Sequence, residues 1–470
     1  MNFKSISFYL GLFCFPISLL SILNILYASY FDFFLSINAY LITLFLSLIL
    51  GTCLFIYGKN ANKKINFYEQ LILIISVYFF VSILISIPFY LSNFKINFLS
   101  GLFEAVSGLT GTGFSIFKNI KYLDPTLILW RSSSQWIGGL YFLIFLILLF
   151  SNKSFNFKMT QLTYSGESTF KSEDNIKNNI LKLFIFYVIL SFIFLALLNF
   201  SGIRLFNSLN LSMSLISGGG FLPSDSLGNI IITGFQKLTL IILLLLSMLN
   251  FFLIFNIFNK KILLKNHNED LYLIILSLIL ILLVFFNKFD SLDLIISVLS
   301  SLANSGITLL KSDLNLSLYF LLITIVGGSI ISNTSGIKLA RFYILLKITS
   351  SEIIKLISPN SVINRTIFSS ENKITNENIK ISFLIFISFF LSLFILSSLL
   401  VIDNIGFERS FKVSILTLTN TVNSEMYGLQ NFNFTNLLTS SKISLIIFMI
   451  IGKIELISVF LIFKKLFLKD

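Results

Sequence analysis

The chain has 470 residues, of which 56% are apolar and only 12% charged, with a mean hydropathy of +0.93. A water-soluble domain carries about 25% charged residues, so this composition excludes a single aqueous-phase core and makes lipid the solvent for most of the chain. The net charge of +13 fits Lys and Arg gathered in cytoplasmic connections, and no basic, aromatic-interleaved soluble segment points to nucleic acid.

A bilayer-crossing helix needs about 20 mostly apolar residues. In chain order the sequence predicts spans near 6–27, 34–57, 68–92, 127–150, 178–199, 231–258, 270–287, 317–346, 380–402 and 441–466. The first is longer than a signal-peptide core and no small-residue cleavage site follows it, so it reads as a membrane helix. Cys14 and Cys53 fall inside apolar spans and read as buried small hydrophobes rather than a disulfide or metal pair. His267 stands alone in a basic connection and reads as a solvated side chain.

Ten crossings bring both termini to one side, and charge decides which. Lys59, Lys63 and Lys64, then Lys153 and Lys158, then Lys260, Lys261 and Lys265, then Arg341, Lys355 and Arg365 fall in alternate connections. Lys4, Lys464, Lys465 and Lys469 at the ends share that face, whereas Lys95, Lys118 and Lys121 do not. The positive-inside rule makes the richer face cytoplasmic. The expectation is a multi-pass protein of the plasma (inner) membrane with both termini cytoplasmic.

Between alternate spans lie apolar stretches too short to cross, each running into small and polar residues. They are Leu99–Leu109 before Thr110-Gly111-Thr112-Gly113-Phe114, and Leu205–Ile216 before Ser217-Gly218-Gly219-Gly220-Phe221. The others are Ser291–Leu302 before Ala303-Asn304-Ser305-Gly306-Ile307, and Ser410–Leu418 before Thr419-Asn420-Thr421-Val422-Asn423-Ser424. Irregular backbone at membrane depth is tolerated where it is buried in protein or lines an aqueous path. One such segment could be an ordinary turn; their fourfold recurrence implies a shared pore.

The chemistry suits a monovalent cation. Dehydrating the ion requires oxygens in place of water, and short Thr/Ser/Gly loops supply them as backbone carbonyls. Glycine reaches backbone angles that a Cβ forbids. Each half-helix turns its partially negative C-terminus toward the cavity.

Leu102-Phe103-Glu104-Ala105-Val106-Ser107-Gly108-Leu109-Thr110-Gly111-Thr112-Gly113 resembles the first pore loop of the Trk/Ktr/HKT cation transporters. Trp130-Arg131-Ser132-Ser133-Ser134-Gln135-Trp136-Ile137-Gly138-Gly139 is similar to that family's start of the following helix and is the most specific motif in the chain. Gly327-Gly328-Ser329 with Asn333-Thr334-Ser335-Gly336-Ile337-Lys338 resembles the polar interruption of its third unit, and Gly452-Lys453-Ile454-Glu455 its Gly-Arg-x-Glu element. The two extra N-terminal spans resemble those of the Trk branch rather than the shorter Ktr branch.

That resemblance implies an all-α membrane protein: two N-terminal helices and four helix–pore loop–helix units around a central pore. The expected boundaries are 1–66 for the extension and 67–157, 158–266, 267–375 and 376–470 for units one to four. It implies filter glycines at Gly113, Gly219 and Gly306, preceded by Thr112, Gly218 and Ser305 as carbonyl donors. Gly111, Ser217 and Asn304 complete those loops. The fourth unit departs from the pattern: Val422 and Asn423 stand where a glycine is expected. Asn423 is the favoured equivalent, because asparagine tolerates positive φ. Glu425 beyond it would either concentrate cations at the mouth or be a solvated loop carboxylate.

Gly327, Gly328, Ser332, Thr334 and Gly336 interrupt an apolar span. The resemblance implies a flexible loop below the filter that blocks the closed pore; close helix packing through small residues is the alternative. Lys453 would face the pore as an electrostatic barrier, or pair with Glu455, though residues two apart do not face each other on a helix. Arg131 reads as a tether for its helix rather than an ion contact.

The family moves K⁺, so K⁺ uptake is expected, with a Na⁺-permeable or mixed Na⁺/K⁺ transporter as the alternative raised by the fourth loop. The family further implies a homodimer and a separate cytosolic nucleotide-binding subunit, for which the basic connection Lys338–Asn378 is the docking expectation. Gly218-Gly219-Gly220 lacks the Lys-Ser/Thr of a phosphate cradle. No cofactor is expected beyond the transported ion. An enzyme is not expected, because no nucleophile–base pair or metal-spaced ligand set stands out. A carrier for a small organic solute built on inverted repeats fits less well than four units facing the same way.

Overall fold

A computed structural model of the chain describes residues 2–33, 37–61, 65–150, 176–258, 268–285, 289–310, 316–361, 365–368, 373–429 and 432–454. Among these residues the regular structure is helical, with a single isolated bridge between Thr366 and Lys373. Two long apolar helices, α1 (Phe3–Tyr30) and α2 (Ile37–Gly58), form the N-terminal extension. They pack at close range: a Cβ on Gly11 would come within 2.7 Å of the Gly51 carbonyl oxygen, a contact only small residues allow.

Four helix–half-helix–helix units follow. The first is α3 (Phe67–Tyr90), α4 (Phe98–Thr110) and α5 (Pro125–Phe150). The second comprises α6 (Ile176–Phe200), α7 (Leu205–Ile216), α8 (Gly234–Met248) and α9 (Phe251–Phe258). The third comprises α10 (Asn268–Val284), α11 (Ser291–Leu302), α12 (Ser317–Val326) and α13 (Leu339–Ile357). The fourth is α14 (Asn376–Ile402), α15 (Phe407–Leu418) and α16 (Thr439–Ile454). The end of the predicted tenth span, Glu455 and the basic tail lie outside the described residues.

Six of the described helices are long and apolar enough to cross a bilayer unaided: α1, α2, α3, α5, α6 and α14. α4, α7, α11 and α15 have 13, 12, 12 and 12 residues. At about 1.5 Å per residue they reach roughly 18–20 Å, well short of a hydrocarbon core about 30 Å thick. These are the half-length stretches expected from sequence.

Local chemistry sets the ends. Asn66 and Glu69 form a reciprocal cap at the start of α3, with the Asn66 N–H donating to Glu69 Oε2 at 3.0 Å. Thr233 and Gln236 do the same for α8. The predicted continuous sixth span, 231–258, is instead divided at Leu249 and Asn250. Its freed backbone groups find partners in the other broken span: Ser329 N–H donates to the Met248 carbonyl at 3.1 Å and Phe251 N–H to the Ile331 carbonyl at 2.8 Å. Such breaks survive in a membrane where protein supplies the missing bonds.

The core centres on α5, 89% of whose most apolar stretch is buried. Gly138 lies directly against the Leu109 carbonyl at the end of α4, and Gly139 against Ser217 after α7. Trp130 Nε1–H donates to the Ile85 carbonyl at 3.0 Å, and Trp136 Nε1–H to Ser191 Oγ at 2.8 Å. The Trp130–Gly139 motif is therefore a packing hub joining units one and two.

Candidate ion pathway

Each half-helix ends in a left-handed residue whose N–H closes a tight turn. Gly111 donates to Gly108, Gly218 to Leu215, Asn304 to Ser301 and Asn420 to Thr417, at 2.9, 3.1, 3.2 and 3.2 Å. Their φ angles are +79°, +67°, +56° and +47°. The carbonyl four residues upstream then accepts from one or both of the next two N–H groups: Ser107 from Gly113, Ser214 from Gly219, Ser300 from Ser305 and Gly306, and Leu416 from Thr421. This shared pattern sets the register. Thr112, Gly219, Ser305 and Thr421 form one row, and Gly113, Gly220, Gly306 and Val422 the next.

Two expectations are corrected by that register. Gly219 is equivalent to Thr112, so Gly220 matches Gly113; three consecutive glycines give no side-chain mark, and only the end of α7 at Ile216 fixes the count. In the fourth loop the left-handed asparagine is Asn420, and Asn423 is not among the positive-φ residues. The preference of asparagine for positive φ was the right signal applied to the wrong asparagine. Val422 stands in the glycine row.

The four loops meet. A Cβ at Gly113 would approach Val422 and Gly220, one at Gly220 would approach Ser305 and Val422, and one at Gly306 would approach Val422 and Thr421. Cross-loop bonds hold the assembly. Asn304 Nδ2–H donates to the Thr324 carbonyl at 2.9 Å and to Thr421 Oγ1 at 3.2 Å. Asn420 repeats the arrangement one unit on, donating to the Met449 carbonyl and to Thr112 Oγ1, both at 2.9 Å. Thr110 and Thr112 share a hydroxyl bond at 2.7 Å, as Thr419 and Thr421 do at 2.9 Å.

On one side the loops open to a cavity of about 250 Å³ whose wall includes Gly113, Gly220, Val422 and Asn423. Arg131 lines it too, held in a buried ion pair with Glu104 at 2.8 Å. Glu104 also accepts the Ile116 N–H at 2.9 Å, fixing the segment that leaves the first loop. Arg131 is thus the expected tether, and Glu104 its partner. Glu425 is exposed.

On the other side lies the stretch between α12 and α13. Gly327 and Gly336 take positive φ, and Thr334 Oγ1 accepts the Gly328 N–H at 3.1 Å. Ser332 and Thr334 share a hydroxyl bond at 2.6 Å. Asn333 reaches the end of α7 directly: its Nδ2–H donates to the Ile216 carbonyl at 2.7 Å, and its own carbonyl accepts from Lys453 Nζ at 2.8 Å. Lys453 is buried beside Gly111 and lies 4.7 Å from the Phe142 ring centroid. Lys338 donates to the Ser329, Ser332 and Thr334 carbonyls and to Thr334 Oγ1.

Two carboxylates outside the expected site hold the same stretch. Glu269 Oε1 accepts the Ile330 N–H at 2.9 Å, and Asp270 Oδ1 accepts the Asn250 N–H at 2.8 Å. Adjacent acids opening an apolar helix were the available sequence signal. Within the stretch 338–378, Lys338, Arg341 and Asn378 are buried, whereas residues 352–360, 373 and 375–377 are exposed.

Comparison with known proteins agrees with this architecture. A family model described as TrkH, cation transport protein, matches residues 36–289. The chain is 27% identical over 447 residues to an uncharacterized cation transporter of Methanocaldococcus jannaschii, covering 90% of this chain and 89% of that one. It is 23% identical over 460 residues to the Trk system potassium uptake protein TrkH of Salmonella typhimurium, with 92% of each chain covered. The crystal structure of the potassium transporter TrkH from Vibrio parahaemolyticus superposes with a TM-score of 0.83 at 20% identity, over 98% of both chains.

Proposed function

Because the chain belongs to the TrkH cation transport family, a family of multi-pass membrane transporters and not of enzymes, we propose that it carries K⁺ into the cell through the ring formed by its four loops. The observation that carries this reading is the convergence of four half-helix C-termini on rows of Thr, Ser, Gly and Asn, with a cavity on one side. Backbone carbonyls there replace water around the ion, and the helix ends add partial negative charge. Thr112, Gly219, Ser305 and Thr421, with the row from Gly113 to Val422, form the filter. The 327–338 stretch is the gate, with Gly327, Gly328, Ser332, Thr334 and Gly336 shaping it and Lys453 as the barrier beneath.

The protein sits in the plasma membrane with both termini in the cytoplasm, and the boundaries 1–66, 67–157, 158–266, 267–375 and 376–470 divide it into extension and pore units. It works as a homodimer under a cytosolic nucleotide-binding subunit, as the resemblance of its pore motifs to the Trk transporters implies. Val422 in the glycine row favours a second reading, a Na⁺-permeable or mixed Na⁺/K⁺ path, because one side of the ring departs from the other three.

The test is growth of a bacterium lacking its own K⁺ uptake systems, at low external K⁺ with Na⁺ varied, with and without a cytosolic nucleotide-binding partner. Rescue little affected by Na⁺ supports K⁺ uptake. Absent rescue by inserted protein, combined with Na⁺ sensitivity, transfers the conclusion to the Na⁺-permeable path.

A further inference from the structure

We propose that the Val422 side chain closes the filter ring and sets the rate at which ions pass it. The inference rests on the conduction reading above and concerns what the fourth unit contributes to the same ring.

Val422 occupies the row otherwise held by Gly113, Gly220 and Gly306, each from a different unit. A Cβ built on Gly113 would come within 3.0 Å of Val422 Cβ and Cγ2. One on Gly220 would come within 2.6 Å of Cβ and Cγ1, and one on Gly306 within 2.9 Å of Cγ1. A single isopropyl group therefore packs against the bare backbone of the other three units at once. In a ring, the group in contact with both neighbours and the opposite member lies across the axis.

Its chemistry opposes passage. A dehydrated cation needs oxygen ligands, and an isopropyl group offers none while filling the space they would face. Val422 is only partly buried, and its free side forms part of the cavity wall together with Gly113 and Gly220. An ion arriving through that cavity meets carbon.

Backbone geometry adds to the closure. Gly113 and Gly306 take φ of +79° and +66°, whereas Gly220 and Val422 are absent from the left-handed residues. A β-branched residue avoids that region and is stiff at χ1, so side-chain rotation alone gives little relief. Passage requires the turn from Asn420 to Ser424 to shift.

The test is rubidium flux into phospholipid vesicles by the full-length chain carrying Val, V422G, V422A or V422I, each checked for a monodisperse size-exclusion profile. Flux should rise in the order Ile, Val, Ala, Gly, with V422G about tenfold above Val, equivalent to a barrier lower by about 1.4 kcal/mol. If V422G does not fold, V422A decides the question by its smaller rise. Equal flux across the series, with the Val protein conducting, overturns the closure and leaves the conduction reading standing. No rubidium flux from any well-folded member overturns the conduction reading and this inference with it.

Discussion

The Asn420 amide donates to the Thr112 hydroxyl at 2.9 Å, tying the loop after α15 to the loop after α4 across 308 residues of sequence. A second bond from the same nitrogen reaches the Met449 carbonyl on α16, also at 2.9 Å. Asn420 does this from a left-handed backbone, φ +47°. Asn420→Ala loses both bonds and keeps a Cβ in that conformation. At about 1 kcal/mol for each bond, it should destabilise by roughly 2 kcal/mol or more, because alanine tolerates the left-handed region less well than asparagine. Asn420→Gly loses the same bonds but relieves the backbone of its Cβ and should lose less. Thermal unfolding in detergent measures the order, and equal losses would remove the backbone argument.

Lys453 Nζ donates to the Asn333 carbonyl at 2.8 Å and places a buried positive charge beside Gly111. Lys453→Met removes the charge and one anchor of the 327–338 stretch. Vesicle flux should rise about fivefold or more, equal to a barrier lower by about 1 kcal/mol. Lys453→Arg keeps the charge and should stay near wild type. Identical flux in the Met variant would remove Lys453 from the barrier.

Glu104 and Arg131 are 0% and 1% exposed as a pair, so each charge depends chiefly on the other for compensation. Removing one partner strands the other charge, which costs about 3–5 kcal/mol, whereas replacing both with apolar groups is far milder. Glu104→Leu should therefore lower the unfolding temperature more than the Glu104→Leu, Arg131→Met double variant does. Additive losses in that cycle would contradict the pairing.

Gly138→Ala inverts the usual helix rule. Alanine favours an isolated helix by about 1 kcal/mol over glycine, but here its methyl would run into the Leu109 carbonyl at the end of α4. The variant should lose folded yield on size exclusion. Gly234→Ala at the start of α8 meets nothing within 4 Å and should hold wild-type yield.

Membrane immersion and the positions of the half-helices were legible because each rests on a local quantity. Run length against bilayer thickness distinguishes a full crossing from a half one, and α7 and α11 start and stop at the residues where the apolar runs do. The loop register was legible where a glycine stands alone beside Thr or Ser, as at Gly113 and Gly306. It failed at Gly218-Gly219-Gly220, where identical residues carry no phase, and at the fourth loop, where two asparagines compete for one left-handed position. The break in the α8–α9 span was invisible because Leu249 and Asn250 carry no breaker; the interruption is sustained by bonds to residues 329 and 331, about 80 positions away along the chain.

By itself the sequence determined the solvent of this protein and its alternation of long and half-length apolar helices, since hydrophobic run length and small-residue punctuation act within a few neighbouring residues. Only the tertiary structure decided which residue of each loop faces which, that Val422 meets three glycines, and that Asn333 joins Lys453 to the end of α7. Those contacts arise between segments that become neighbours only after the helices pack, so their energies depend on distances no single stretch of chain contains.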